Sequence, residues 1–100
     1  MDKKMLKQAQ QLQAKMLKAQ EELGNTTIEA TSGGGAVTVV MTGHQEVQSI
    51  KISPEVVDPE DVELLEDMIL AALKEATQKS REMAEKKMGA LTGGLNIPGL

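Results

Sequence analysis

Apolar residues recur at Met5, Ala9, Leu12, Met16, Ala19 and Leu23, in steps of four and three that put them on one side of an α-helix. The positions between them are mostly Lys, Gln and Ala, without Gly or Pro, and Gly24-Asn25 supplies a helix stop, so a first helix is predicted over residues 2–23. The period then shortens to two. Residues 26–31 alternate about Ile28 and Ala30, residues 36–42 are mostly β-branched, and residues 47–53 carry Ile50 and Ile52, which predicts three strands. Ser32-Gly33-Gly34-Gly35 and Gly43-His44 tolerate positive φ, so the simplest connection is an antiparallel meander.

Asp58-Pro59 reads as an N-cap followed by Pro at the first helical position, with Glu60, Asp61 and Glu63 favourably placed in the first turns. From there no breaker occurs before Gly89, and a second helix of about 30 residues, about 45 Å, is predicted to end at Met88. That is far longer than a six-residue strand, so its distal half must project beyond the sheet. Its seam runs through Val62, Leu65, Ile69, Ala72 and Ala76, then meets Lys79 and Ser80 before Met83, so the core is expected to end near Ala76. Residues 89–100 hold four glycines and one proline and are expected to form a flexible Gly-rich C-terminal tail.

The resulting α-β-β-β-α order is an α+β chain with a three-stranded antiparallel sheet and two long helices, and residues 1–88 form a single domain. Helix ends that overhang the sheet cannot bury their seams within one chain. A second copy would cover both those seams and an open sheet edge, and twofold symmetry is the commonest arrangement, so a homodimer with coiled-coil character is expected.

Composition narrows the chemistry. The chain has 40% hydrophobic residues, enough for a core, and no cysteine, which removes disulfides and thiolate metal sites. Met1 to Gln20 has no unbroken apolar stretch of the signal-peptide kind and no segment reaches membrane-spanning length, so the expectation is a cytoplasmic protein with no membrane partner. Phe, Trp and Tyr are absent, so stacking platforms for single strands or purine cofactors are missing and any nucleic-acid binding must go through phosphates. A net charge of −4 does not forbid this, because phosphate contacts depend on where the lysines lie.

Nearly the whole chain resembles the YbaB/EbfC family of bacterial nucleoid-associated proteins. The resemblance is carried by Met5-Leu6-Lys7-Gln8-Ala9-Gln10, Gly34-Gly35-Ala36-Val37-Thr38-Val39, Ile52-Ser53-Pro54-Glu55 with Asp58-Pro59-Glu60-Asp61, Leu64-Leu65-Glu66-Asp67-Met68-Ile69, and Lys87-Met88-Gly89 leading to Thr92-Gly93-Gly94-Leu95. It implies a homodimer with helical arms spread like tweezers. It also implies double-stranded DNA as partner, low or modest sequence preference, a nucleoid location and an influence on nucleoid organisation and gene expression. No strongly basic extension is present at either end, which places more weight on the helix lysines.

Lys3, Lys4, Lys7, Lys15 and Lys18 face only Asp2 as an acid within the first 20 residues. All but Lys18, which can pair with Glu21 or Glu22, lack an acid three or four positions away, so they are the leading candidates for phosphate contact. Lys79, Lys86 and Lys87 are secondary candidates, because Glu75 precedes Lys79 and Glu82 precedes Lys86 by four. Arg81, which precedes Glu85 by four, ranks below them. The seven carboxylates from Glu55 to Asp67 would repel a duplex and should face away from it.

Other chemistry has little to stand on. His44, the sole histidine, reads as a surface turn residue, and neither it nor any serine lies in a nucleophile motif. The Gly33-Gly34-Gly35 run lacks dinucleotide and phosphate-loop spacing. No enzyme, cofactor, metal site or small-molecule substrate is expected. The competing reading is a protein-interaction adaptor dimer without direct DNA binding, suggested by the acidic start of the second helix, the methionine seams and the leucines of the tail.

Overall fold

A computed structural model describes residues 2–92, in the order α1 (Lys3–Asn25), β1 (Thr27–Ser32), β2 (Val37–Thr42), β3 (Val47–Ile52) and α2 (Val62–Thr92), with single 3-10 turns at Gly33–Gly35 and Pro54–Val56. The strands form one antiparallel sheet in the order β1-β2-β3, the meander that the alternating pattern predicts.

The Asp2 carboxylate accepts from the Lys4 N–H at 3.1 Å and caps α1. The helix does not stop at Gly24 but runs through Asn25, because its last carbonyls find partners from outside. The Thr26 hydroxyl donates to the Glu22 carbonyl at 2.7 Å, and the Gly43 N–H, from the β2–β3 turn, donates to that of Leu23 at 2.9 Å. In that turn the left-handed residue is Gln45, at φ 61°, and not Gly43 or His44 as expected. Gly43 is needed for space, since a Cβ there would lie 2.7 Å from the Leu23 carbonyl oxygen.

The start of α2 also differs from expectation. The Asp58 carboxylate accepts from Glu60 N–H at 2.9 Å and its carbonyl from Asp61 N–H at 3.0 Å, closing a tight turn around Pro59. Asp61 takes over as the cap, accepting from Leu64 N–H at 3.3 Å, and the helix begins at Val62. At the other end α2 passes through Gly89 to Thr92, so the first residues assigned to the tail are helical. The remainder of that segment lies outside the described residues.

The core is formed by Ala30, Val37, Val39 and Met41 from the sheet against Ala72 and Ala76 of α2. It does not end at Ala76. Ser80, one turn on, is fully buried and its hydroxyl donates to the Thr42 carbonyl at 2.8 Å, so a small polar residue extends the packed stripe with its hydrogen bond satisfied. Ala72, Ala76 and Ser80 form a row of small side chains on which α2 approaches the sheet.

Two parts of the molecule stay open. α2 covers β1 and β2, while Val47, Ile50 and Ile52, cross-strand partners of the buried Met41, Val39 and Val37, remain 47, 42 and 37% exposed. The core-side face of β3 is therefore bare. The first half of α1 likewise projects, every residue from Asp2 to Gln11 being exposed. The extents of 69 × 24 × 16 Å and a radius of gyration of 19.2 Å reflect that overhang, against about 13 Å for a compact chain of this size.

Candidate nucleic-acid interface

At 100° per residue, Lys3, Lys4, Lys7, Lys15 and Lys18 fall within an arc of about 120° on α1, while Met5, Ala9, Leu12, Met16, Ala19 and Leu23 occupy the opposite side. The stripe from Lys3 to Lys18 is about 22 Å long. All five lysines are exposed, and among the described residues no ion pair engages any of them.

The packing seam of α1 is used only at its C-terminal end. There Ala19 and Leu23 are buried where α1 runs antiparallel to the last turns of α2, with Ala90 and Leu91 near Ala19, and Met83 near Leu23. Above this junction Met5 is 63% and Met16 36% exposed.

The second-rank lysines divide. Lys87 lines the cleft at the α1–α2 junction together with Lys15 and Lys18, so three of the candidate lysines converge there, while Lys86 lines an adjoining hollow with Leu23, Thr26 and Met83. Lys79 stands apart. Its ammonium donates to the Glu29 carbonyl at 3.0 Å and lies 3.5 Å from Glu75, which ties α2 to β1. The Glu82 carboxylate accepts from the Gln78 amide at 3.2 Å, and no ion pair to Lys86 or between Arg81 and Glu85 is found among the described residues.

Sequence reasoning missed the partner of Lys87. Glu22, which the helical spacing assigns to Lys18, instead reaches Lys87 at 2.6 Å. The hydrogen bond from Lys87 is the main cause that holds the Glu22 carboxyl below the usual glutamate range, the Lys87 charge adds to it, and Lys18 contributes a smaller pull. A pair across 65 positions leaves no local periodic signal.

The acid-rich turns at the start of α2 are about 37 Å along that helix from Lys87, so the opposite charges sit at opposite ends of the molecule. His44 is exposed in its turn, close over Gly24. Among the described residues no cluster of three His, Cys, Asp or Glu is positioned for a metal ion, and no helix is long and apolar enough to cross a membrane.

Comparison with known proteins gives the same direction. The model of the YbaB/EbfC DNA-binding family matches residues 1–95. The chain is 60% identical over 97 residues to a nucleoid-associated protein of Pelotomaculum thermopropionicum, covering 97% of this chain and 92% of the relative. It is 56% identical over 93 residues to a nucleoid-associated protein of Chloroflexus aurantiacus, covering 93% of each. In fold it is similar to a crystal structure of an uncharacterised protein of Helicobacter pylori, with a TM-score of 0.65 at 22% identity over 78% of this chain and 90% of that one. The family and the names of these relatives point to DNA association and not to catalysis. On sequence, over almost its entire length, the chain belongs to the YbaB/EbfC DNA-binding family.

Proposed function

We propose that this protein is a nucleoid-associated protein that binds duplex DNA as a homodimer, mainly through phosphate contacts and with low or modest sequence preference. It resides in the cytoplasm on the nucleoid and influences nucleoid organisation and gene expression. The observation that carries this reading is the unpaired lysine stripe on α1, which runs from its projecting half down to the α1–α2 junction. Ammonium groups with no carboxylate partner exchange their counterions for phosphates at little cost, and an exposed arm gives a rigid duplex access to them. Without aromatic side chains to stack on bases, affinity resides in the backbone, and sequence preference stays low.

Homodimerisation is supported by the bare core-side face of β3. Val47, Ile50 and Ile52 continue the apolar surface that α2 covers on β1 and β2, and Leu70 of α2 is 51% exposed. A second copy laid there would bury the apolar area one chain leaves in water.

The test is a titration of a short duplex at several salt concentrations. If about six phosphates are neutralised per dimer, log affinity falls against log salt with a slope of about −5. Replacing Lys4, Lys7 and Lys15 by Gln should weaken binding to all duplex sequences alike and leave dimerisation intact. Salt-independent binding, or full retention of DNA by the triple variant, would overturn the reading.

A further inference from the structure

The base of the lysine stripe meets two acids, Glu21 and Glu22, of which Glu22 lines the α1–α2 cleft. Glu22 lies one turn beyond Lys18 and, by helical spacing, within the same arc as Lys4, Lys15 and Lys18. Its carboxylate points into the α1–α2 cleft and accepts from Lys87 at 2.6 Å. Lys15 and Lys18 stand on one wall of that cleft and Lys87 on the other, with Ala19 and Ala90 between them. Glu22 is the only carboxylate lining the cleft among the described residues. A carboxylate so surrounded holds the place that an anionic phosphodiester oxygen would take among the same ammonium groups.

We propose that the α1–α2 cleft is a phosphate-binding point on the path of the duplex, which the Glu22 carboxylate fills in the free protein and a backbone phosphate takes over in the complex. This rests on the DNA-binding reading above. The exchange is physically easy, because Lys87 and Glu22 keep 34 and 47% of their side-chain surface in water, and an ion pair so exposed is weak. A phosphate entering between Lys18 and Lys87 restores the charge contact that Lys87 gives up. Glu22 gains none, and its residual repulsion sets an upper limit on affinity. Glu22 is thus a built-in competitor that keeps the protein exchangeable along DNA, and Lys87 is its switchable partner.

The experiment is the duplex salt titration applied to Glu22→Gln, Lys87→Gln and the double variant, each checked for folding by circular dichroism. Glu22→Gln should bind about 3- to 10-fold tighter near 0.1 M salt, with a steeper slope, because no displaced Glu22 carboxylate takes a cation back from solution when the phosphate enters. In the Lys87→Gln background the same substitution should gain markedly less. Equal gain in both backgrounds would mean that only net charge had changed, and an unchanged or weakened Glu22→Gln would mean that the cleft takes no phosphate; either result overturns the proposal. Should Glu22→Gln fold poorly, the carboxyl carbon resonance of Glu22 in the wild-type protein serves instead. It should move as duplex is added and Lys87 departs, and a stationary signal would overturn the proposal. Wild-type protein that fails to retard duplex at all sinks the DNA-binding reading, whereas wild-type binding with no response to Glu22 sinks only this inference.

Discussion

At the junction of α1 and the sheet, Gly43 is required for lack of volume and not for its freedom in φ. A Cβ at this position would meet the Leu23 carbonyl oxygen at 2.7 Å and Leu23 Cδ2 at 2.9 Å, and the carbonyl belongs to a helix end that cannot retreat without losing its hydrogen bond from Gly43. Gly43→Ala is expected to cost about 1–3 kcal/mol, the usual range for forced overpacking, measured by urea denaturation. A glycine beside a histidine between two strands announces a turn, and so the turn was legible; the contact with a helix 20 positions earlier was not. Glu22 teaches the same lesson in charge. Its carboxyl pKa is lowered in the folded protein by Lys87, so the stabilisation it gives is complete above the ordinary carboxylate range and is lost as pH falls through the lowered value. The melting-temperature advantage of wild type over Glu22→Gln should be constant near neutrality and vanish on acidification below about pH 4.

Among the elements, the period of the apolar positions identified both helices and all three strands, since the pattern that buries one face is the pattern the fold uses. What it misplaced were ends. Asp58-Pro59 has the composition of a helix start, but the chain spends it on a turn and begins α2 three residues later on Asp61. Gly89 has the composition of a helix stop, yet α2 continues through it, and a Cβ there would meet nothing within 4 Å. Since its φ is not in the left-handed region, Gly89→Ala should stabilise α2 by about 0.5–1 kcal/mol, read as a higher midpoint in thermal or urea unfolding. No change, or a loss, would show that the helix ends before position 89. The buried Ser80 was unreadable for a related reason: helical spacing puts it on the seam, but only the Thr42 carbonyl above it makes a hydroxyl acceptable there.

For the whole molecule, the mismatch between a helix of 31 residues and strands of six dictates the outline. One helix about 10 Å wide lies over two strands about 4.8 Å apart and leaves the face of β3 bare, while the helix length beyond the sheet appears in the projecting half of α1. The lysine candidates of α1 could be read from sequence because their freedom depends on neighbours within one helical turn. The convergence of Lys15, Lys18 and Lys87 could not, because it depends on how two helices meet. If a second copy covers β3, unfolding is coupled to dissociation, and the melting temperature should rise with protein concentration over a hundredfold dilution series. A concentration-independent transition, with a monomer in sedimentation, would remove the homodimer.

The overhang of α1 has a thermodynamic corollary. Fewer than about 15 residues of helix with no tertiary support are marginal in water, so in an isolated chain the amides of the first three turns should exchange with solvent orders of magnitude faster than those around Ala19 and Leu23. Ordering those turns against a polyanion then draws on the affinity itself. The arm trades tightness for reach, and warming, which melts it, should loosen the grip on DNA well before the sheet unfolds.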